Sequence, residues 1–590
     1  MRLNKVFFIL AATFMVNSCE DMLDPKLTGE VEDDRMWIIP EMAQGVLMQA
    51  YSAMPVRPDT FDGNFLDVAT DNAVTNSFNS SIYRVGMGAI TASNSQLGVW
   101  SECYEQFQNI HLFLEKGLTD KTKYDLIDAV DQSKKLQLEA EAYFLRAWWG
   151  FRLLQYHGGR TESGEALGYP IVTKFITVEE AKDYANIKRN TYEECVEQIC
   201  SDCDKAAAAL PVTATGQQIG RATATMAEFL KARVLLYAAS PAYQPESIVS
   251  IDGMGKFTVK DEAKYKAKWE RAAIQAYKVM TMPGFGAYTA IKRTDIVDVP
   301  DGNMTPAAFV YRKYFNNNGM ESRHYPPFYF GSCNSAPSQN LVDAYPMRSN
   351  GYPISNPASG YDENNPYAGR DNRLELTIFH HGSKFGDNDS YIDVIYGGKD
   401  SEAFMNGGSR ASRTGYYLSK FMSHRQDFLN PIQAQNSIHL YAPMRKAEIF
   451  LSFAEACNEA YGPTGKGQGM DRSAYDVIKD IRKKSGGIAN DLYIEDIKND
   501  KDAFRSLIIN ERRLEFAFEN IRFWDLRRRL LPLNEEIRGV TVTSENGELS
   551  YDTGRKVEDR PLNEIKYYYL PVPYNEILKN PAGMVNNIGY

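Results

Sequence analysis

The 590-residue chain is poor in the residues from which metal and redox sites are built, with seven cysteines and seven histidines. Cys195, Cys200 and Cys203 lie in one helical pattern, where the first two fall about 140° apart around the helix axis and cannot converge on a cluster. We expect these thiols to be small buried side chains. Neither H-E-x-x-H nor G-x-S-x-G occurs. The sequence therefore predicts no metal, no cofactor and no nucleophilic triad.

Dense positive charge is also missing. The formal net charge is −10, and no stretch concentrates Lys and Arg. Nucleic acid needs clustered cationic contacts, so the composition argues against a nucleic-acid partner. With 43% apolar and 24% charged residues, the chain has the composition of a soluble globular protein. No stretch after the N-terminus is apolar and long enough to predict a transmembrane helix.

The N-terminus has the pattern of an export signal. Arg2 and Lys5 precede an apolar run at 6–16, and the run ends shortly before Cys19. This ending resembles a bacterial lipobox, which predicts a signal peptide at 1–18 and lipidation of Cys19. Glu20 and Asp21 resemble the acidic tag of surface-exposed Bacteroidetes lipoproteins. The alternative is an ordinary secretory signal with an incidental cysteine.

Helical periodicity dominates the first half of the chain. Amphipathic helices are predicted at 36–54, 99–118, 136–156, 191–210, 225–239 and 265–280. Thr191 and Glu194 have the spacing of a capping box. Helices paired through short turns, with alanine at close-packing positions, predict degenerate tetratricopeptide-like pairs in an irregular right-handed superhelix. We assign 19–286 to this helical region.

The second half, 287–590, begins with a stretch of different amino-acid composition. From 287 to 441 Gly, Asn, Ser, Pro and Tyr are dense, which predicts loops with short strands at 374–379 and 391–396. Irregular stretches of this length are usually functional. Helices are predicted again at 444–460, 473–484 and 502–529. The fold class is therefore mostly α, with the helix pairs packed against a loop-rich region.

Six segments in series resemble the SusD/RagB family of outer-membrane lipoproteins, and together they span the chain. They are CEDMLD (19–24), EAEAYFLRAWWGFRLLQYHG (139–158), RATATMAEFLKARVLLYAA (221–239), MRKAEIFLSFAEACNEA (444–460), INERRLEFAFENIRFWDLRRR (509–529) and YYYLPVPYNEILKNP (567–581). The resemblance implies a non-catalytic, lipid-anchored surface receptor of the outer membrane. Such a receptor would hand oligosaccharides to a SusC-like TonB-dependent transporter. The alternative is a RagB-like receptor for peptides or protein-derived ligands.

One helix invites an enzymatic interpretation. Glu511, Glu515 and Glu519 recur four residues apart, and paired carboxylates are what a glycosidase needs. They flank an apolar stripe, however, where charges usually form structural ion pairs. We expect such pairs, with Arg146 or Arg445 as partners on neighbouring helices.

Sugar rings stack on exposed aromatic rings while their hydroxyls bond to amides and charged groups. Two predicted loops, 72–85 and 314–330, offer both kinds of side chain. The candidate ligand-binding residues are Asn76, Phe78, Tyr83, Arg84, Tyr314, Tyr325, Phe328 and Tyr329. Pro326 and Pro327 would stiffen the backbone, so we predict that at least one of Tyr325, Phe328 and Tyr329 stacks on ligand. The alternative for each ring is packing beneath its loop.

Overall fold

The structure is a computed structural model that describes residues 33–244, 261–300, 302–386, 390–406 and 408–590. The predicted signal peptide and Cys19 lie outside the described residues. The described residues are 43% helix and 12% strand, which confirms the mostly α fold. The division into regions at residue 287 stays a prediction.

Helices follow one another through the first half of the described chain. They are α1 (Asp33–Met36), α2 (Pro40–Ser52), α3 (Ser81–Gly86), α4 (Trp100–Leu112), α5 (Asp128–His157), α6 (Tyr192–Ala209), α7 (Ala224–Ala239) and α8 (Glu262–Met280). Each of α5, α6 and α7 packs on the next helix in the chain, as expected of helix pairs. Gly150 allows α5 to approach α6 closely, because a Cβ there would lie 3.2 Å from Ile199 Cγ1.

Local signals in this half are confirmed. Thr191 caps α6: its hydroxyl accepts from Glu194 N at 3.1 Å, and Glu194 Oε2 accepts from Thr191 N at 2.8 Å. All six described cysteines are free and buried. Burial raises the pKa of Cys195 and of Cys200 to about 12, so both thiols stay protonated.

Helices of the second half close the same hydrophobic core. They are α9 (Gly319–His324), α10 (Gln339–Ala344), α11 (Arg373–Thr377), α12 (Lys446–Tyr461), α13 (Ala474–Lys484), α14 (Leu492–Ile497), α15 (Lys501–Glu515), α16 (Arg522–Arg528) and α17 (Tyr574–Lys579). Helix α12 packs on both α8 and α15, which joins the two halves of the chain.

The single helix predicted at 502–529 is wrong, because the chain breaks between α15 and α16. Phe518 and Asn520 have φ values of 60° and 64°, in the left-handed region. Asn520 Oδ1 accepts from Leu66 N at 2.7 Å, and its Nδ2 donates to Pro58 O at 2.7 Å. These contacts with a distant segment override the local helical pattern.

Strands form small sheets. The described part of the chain contains six antiparallel pairs: β1 (Ala73–Thr75) with β5 (Ser335–Pro337), β2 (Gly159–Arg160) with β3 (Ala166–Leu167), β4 (Phe309–Asn317) with β10 (Ser437–Arg445), β6 (Ile378–Phe379) with β9 (Tyr417–Leu418), β7 (Met405–Asn406) with β8 (Ser409–Arg410), and β11 (Ile537–Glu545) with β12 (Glu548–Glu558). Asn546 and Gly547 make the β11–β12 turn, with φ of 53° and 87°. An Asn-Gly pair is the strongest short hairpin signal in a sequence.

The strand predictions at 374–379 and 391–396 are largely wrong. The first segment is helix α11 until Thr377, and only Ile378–Phe379 is a strand. The second makes two isolated bridges, from Tyr391 to Lys384 and from Ile395 to Val542. Short apolar runs carry too little periodicity to distinguish a strand from a helix or a loop. The predicted loop at 314–330 also contains part of β4 and all of α9.

The three glutamates are structural, as expected, although Glu519 lies beyond the end of α15. Glu511 accepts from Arg373 Nη2 and from Arg482 Nη1, each at 2.7 Å. Arg445 is the predicted partner and binds Glu515 at 3.0 Å and Glu519 at 2.7 Å. The proposed partner Arg146 is wrong, because it pairs with Asp202 at 2.6 Å on the adjacent helix α6.

Candidate functional site

Residues 391–413 form a surface segment that gathers side chains from both predicted ligand-binding segments. Asn76 Nδ2 donates to the carbonyl of Arg410 at 2.8 Å. The guanidinium of Arg413 lies 4.9 Å from the centroid of the Phe78 ring, which is 46% exposed. Cation–π contact therefore holds Phe78 against this segment while part of its ring faces solvent.

Phe328 reaches the same segment from the other predicted group. Its ring centroid lies 5.7 Å from that of Phe404, and Lys399 Nζ lies 5.0 Å from the Phe328 ring. Asn406 Nδ2 donates to the carbonyl of Pro327 at 2.9 Å. Phe328 remains 43% exposed. The Asn406 side chain thus anchors the backbone next to Phe328 to the 391–413 segment.

Lys399 organises this part of the segment. Its Nζ donates to the carbonyl of Tyr391 at 2.9 Å and to Asp400 Oδ2 at 2.6 Å. Burial lowers the pKa of Lys399, but the hydrogen bonds and charges of Asp400 and Tyr329 together outweigh this effect, and the net pKa is raised. The ammonium therefore stays charged at neutral pH beside Phe328 and the backbone of Tyr391.

An open cleft of about 470 Å³ lies between this segment and the β11–β12 hairpin. Tyr396 and Met405 are the exposed apolar side chains of its lining, at 80% and 56% exposure. Arg410 is exposed and forms no ion pair with any described residue, whereas Arg555 Nη1 binds Glu402 Oε2 at 2.9 Å. The cleft thus combines an aromatic face with cationic hydrogen-bond donors. We call Phe78, Phe328, Tyr391 and Tyr396, the exposed rings around 391–413, the ring surface.

Tyr325 and Tyr329 do not face solvent, and the expectation of exposed rings is wrong for both. Tyr325 is 1% exposed and donates its hydroxyl to the carbonyl of Ser423. Tyr329 is 5% exposed and shares hydrogen bonds of 2.8 Å with Ser390 and Lys399. A short helical turn at Pro327–Tyr329 directs Phe328 outward and both tyrosines towards Phe385.

The remaining candidates lie at different distances from this surface. Tyr83 is half-buried and meets the Phe78 ring edge-to-face at 5.2 Å, so it supports that ring. Arg84 is exposed on α3 beside it. Tyr314 is 60% exposed on β4, but no described contact joins it to the ring surface. The structure therefore brings together Asn76, Phe78, Tyr83 and Phe328.

Sequence reasoning missed Tyr391 and Tyr396, which are 46% and 80% exposed. Their segment, YIDVIYGG, has the pattern of a strand, where tyrosines at both ends are ordinary. The two glycines directly after Tyr396 were the available signal, because they favour a turn that presents the preceding side chain.

The described residues contain no cluster of three or more His, Cys, Asp or Glu side chains placed to hold a metal ion. Among the helices that the structure describes, none is both long and apolar enough to cross a membrane. Glu402 is the one carboxylate among the described lining residues of the cleft.

Comparison with known proteins agrees with this architecture. Residues 298–590 match the SusD family, and residues 28–236 match a family described as starch-binding and associating with the outer membrane. The chain belongs to the SusD/RagB family. SusD-like protein P38 of Formosa agariphila is 23% identical over 532 residues, covering 88% of this chain and 90% of that protein.

Solved SusD-like structures share the fold. A SusD-like protein from Bacteroides fragilis superposes with a TM-score of 0.70 at 23% identity, covering 95% of this chain and 99% of that one. A laminarin-binding SusD-like protein matches with a TM-score of 0.55 at 18% identity over 93% of this chain and 99% of that one. At these identities the likeness establishes the mostly helical SusD-like architecture. The family is carbohydrate-binding and associated with the outer membrane.

Proposed function

We propose that the ring surface binds oligosaccharides without cleaving them. The observation that carries this proposal is the convergence of exposed rings from three distant parts of the chain on one segment, beside Arg410 and the cleft. Aromatic faces cover the C–H faces of sugars, and guanidinium and amide groups bond to their hydroxyls. SusD-like neighbours include a laminarin-binding protein, which supports a glycan as the ligand.

The carboxylates of the chain support a non-catalytic role. A glycosidase of the common type places two carboxyl groups about 5–10 Å apart around the scissile bond. The cleft offers Glu402, which is paired with Arg555. Glu511, Glu515 and Glu519 are 0–8% exposed at their side chains and are held by arginines, so they are unavailable to a sugar. Incubation with a bound oligosaccharide should leave its length unchanged, which mass spectrometry can follow.

The same proposal includes delivery to a SusC-like TonB-dependent transporter at the cell surface. A protein–sugar contact is weak, because each sugar hydroxyl exchanges bonds to water for bonds of similar strength. A receptor tethered beside its transporter raises the effective concentration of ligand at the pore. The lipidated Cys19 would provide this tether.

We expect Phe328→Ala and Tyr396→Ala each to weaken oligosaccharide binding about 5- to 30-fold, the effect of losing one aromatic contact of about 1–2 kcal/mol. Both rings are substantially exposed, so the melting temperature should change little. Titration calorimetry with laminari-, malto- and xylo-oligosaccharides would measure the affinities. Tyr574→Ala is the matched control, since Tyr574 is 46% exposed but lies on helix α17, outside the ring surface.

Unchanged glycan affinity in both ring variants would contradict the assignment of the site. Binding of peptides in place of every glycan, with the same loss in Phe328→Ala and Tyr396→Ala, would favour the RagB-like alternative.

We expect Cys19→Ala to release the protein from the outer membrane. Acyl chains on this residue would supply the anchor, since each buried CH₂ contributes about 0.8 kcal/mol. Palmitate labelling and membrane fractionation in cells lacking the transporter would measure the release. Cys457→Ala is the control, because Cys457 is buried and free. Retention of the Cys19→Ala protein in the membrane fraction of those cells would refute the tether.

A further inference from the structure

A second cavity, of about 200 Å³, opens between the start of α7, the loop at 212–221, strand β4 and the start of α12. Its lining residues are separate from the ring surface and include Val212, Arg221, Phe285, Arg312 and Lys446. Strand β4 and α12 are joined here, because Lys446 N donates to the carbonyl of Ala308 at 2.9 Å. We call this space the basic cavity.

The charged side chains that line the basic cavity are all cationic. Arg221, Arg312 and Lys446 line it, and its described lining contains no aspartate or glutamate. This is unexpected in a chain with a net charge of −10. By contrast, Glu402 lines the cleft of the ring surface. A lining that has cationic side chains and no acidic ones favours an anionic ligand.

Two of the three cations lack an opposite charge from the protein. Arg221 is neutralised by Glu141, whose carboxylate accepts from Arg221 Nε at 3.0 Å and from Nη2 at 2.9 Å. Arg312 and Lys446 form no ion pair with any residue that the structure describes. The Nε of Arg312 is buried and donates no hydrogen bond to a described group. An N–H group in this position favours an acceptor from outside the chain.

Burial lowers the pKa of both Arg312 and Lys446, and no carboxylate opposes the effect. Both positive groups line the same partly desolvated cavity and raise the local potential there. A carboxylate bound against them would relieve this, because charge-assisted hydrogen bonds to carboxylates are among the strongest in proteins.

Apart from four threonines, most of the remaining side chains that line the cavity are apolar. Phe285, Met226 and Val310 line it, and the Phe285 ring centroid lies 5.6 Å from Lys446 Nζ. Val212 and Ile219 are 41% and 43% exposed where the loop borders it. An apolar cavity of about 150 Å³ holds benzene, so this volume accommodates a body of that size together with a carboxylate. A simple inorganic anion would leave the apolar walls unused.

We propose that the basic cavity binds a small organic carboxylate with an apolar body, its carboxylate facing Arg312 and Lys446. This site is independent of the proposed glycan function. It takes a ligand of different chemistry through residues that the ring surface does not share.

Titration calorimetry of the purified protein with sodium benzoate, benzamide and sodium sulfate tests this directly. We expect benzoate to bind, and benzamide and sulfate to bind at least about tenfold more weakly, because each lacks one of the two recognised features. Arg312→Met and Lys446→Met should each weaken benzoate binding about tenfold or more. Lys483→Met, which removes an exposed cation on α13, is the charge-matched control and should leave the affinity unchanged.

Three outcomes would overturn the proposal. They are no benzoate binding, equal binding of benzamide or sulfate, and equal benzoate affinity in Arg312→Met, Lys446→Met and the control. Melting temperatures of the variants establish that they are folded. The charge-preserving Arg312→Lys should retain part of the affinity, which separates loss of recognition from loss of structure.

Discussion

Replacing Arg528 with methionine is expected to lower the free energy of unfolding by about 3–5 kcal/mol at neutral pH, the cost of breaking a buried charge network. Arg528 is fully buried. Its Nη1 and Nη2 each donate to Glu455 at 2.7 Å, and its Nε donates to Asp525 at 2.8 Å. Methionine would fill much of the space but would leave Glu455 and Asp525 with less compensation for their burial.

The loss of unfolding free energy caused by Arg528→Met should become smaller as the pH is lowered. Burial raises the pKa of Asp525, but Arg512 and Arg528 outweigh it and lower the pKa to about 2. The pKa of Glu455 is also lowered, by Arg528 and its neighbours against the effect of burial. In the unfolded chain, Asp and Glu carboxyl groups have pKa values of about 4. The depressed values therefore stabilise the native protein above that pH, and the contribution is lost as the pH falls towards the folded values.

Without Arg528 these carboxylates should take up protons at a higher pH. The difference in unfolding free energy between the wild type and Arg528→Met should therefore shrink between pH 7 and about pH 4. Urea unfolding at several pH values measures it. Arg271→Met is the matched control, because Arg271 pairs with Glu197 at the surface and such pairs contribute about 1 kcal/mol or less. A pH-independent difference would show that the substitution acts through packing alone.

Replacing Tyr325 with alanine is expected to cost about 3–5 kcal/mol of stability, the range for removing a buried aromatic side chain. The Tyr325 ring lies 5.1 Å from Phe385 and 6.3 Å from Phe428. Its hydroxyl donates to the carbonyl of Ser423. Phe328→Ala, only three positions later, should cost about 1 kcal/mol or less, because that ring is 43% exposed.

Tyr325→Phe separates the two contributions of this residue. It keeps the ring and removes one hydrogen bond, so we expect a loss of about 1 kcal/mol. Thermal and urea unfolding of the three variants would establish the order. Equal losses in Tyr325→Ala and Phe328→Ala would contradict the inward and outward orientations of these rings.

Much of the helical architecture could be predicted from the sequence, because helix signals are local. The capping box predicted at Thr191 and Glu194 joins residues three positions apart, and it forms in the structure. Six ordered motifs indicated the SusD/RagB family, which the comparisons confirm. The pairing of Arg445 with Glu515 and Glu519 could be anticipated, because charges beside an apolar stripe need partners.

The orientation of the candidate rings was decided only by tertiary structure. Phe328 and Tyr329 are adjacent in sequence and similar in chemistry, yet one is exposed and the other is buried against Phe385. Their difference comes from contacts with Phe385, Ser390, Lys399 and Phe404, which lie more than 50 positions away and leave no trace in local periodicity. The same holds for Asn520, whose bonds to Pro58 and Leu66 end a helix that its own neighbours favour. The sequence by itself thus determined most of the long helices and the chemistry that the loops carry, whereas long-range packing decided where a helix breaks and which of those side chains reach solvent.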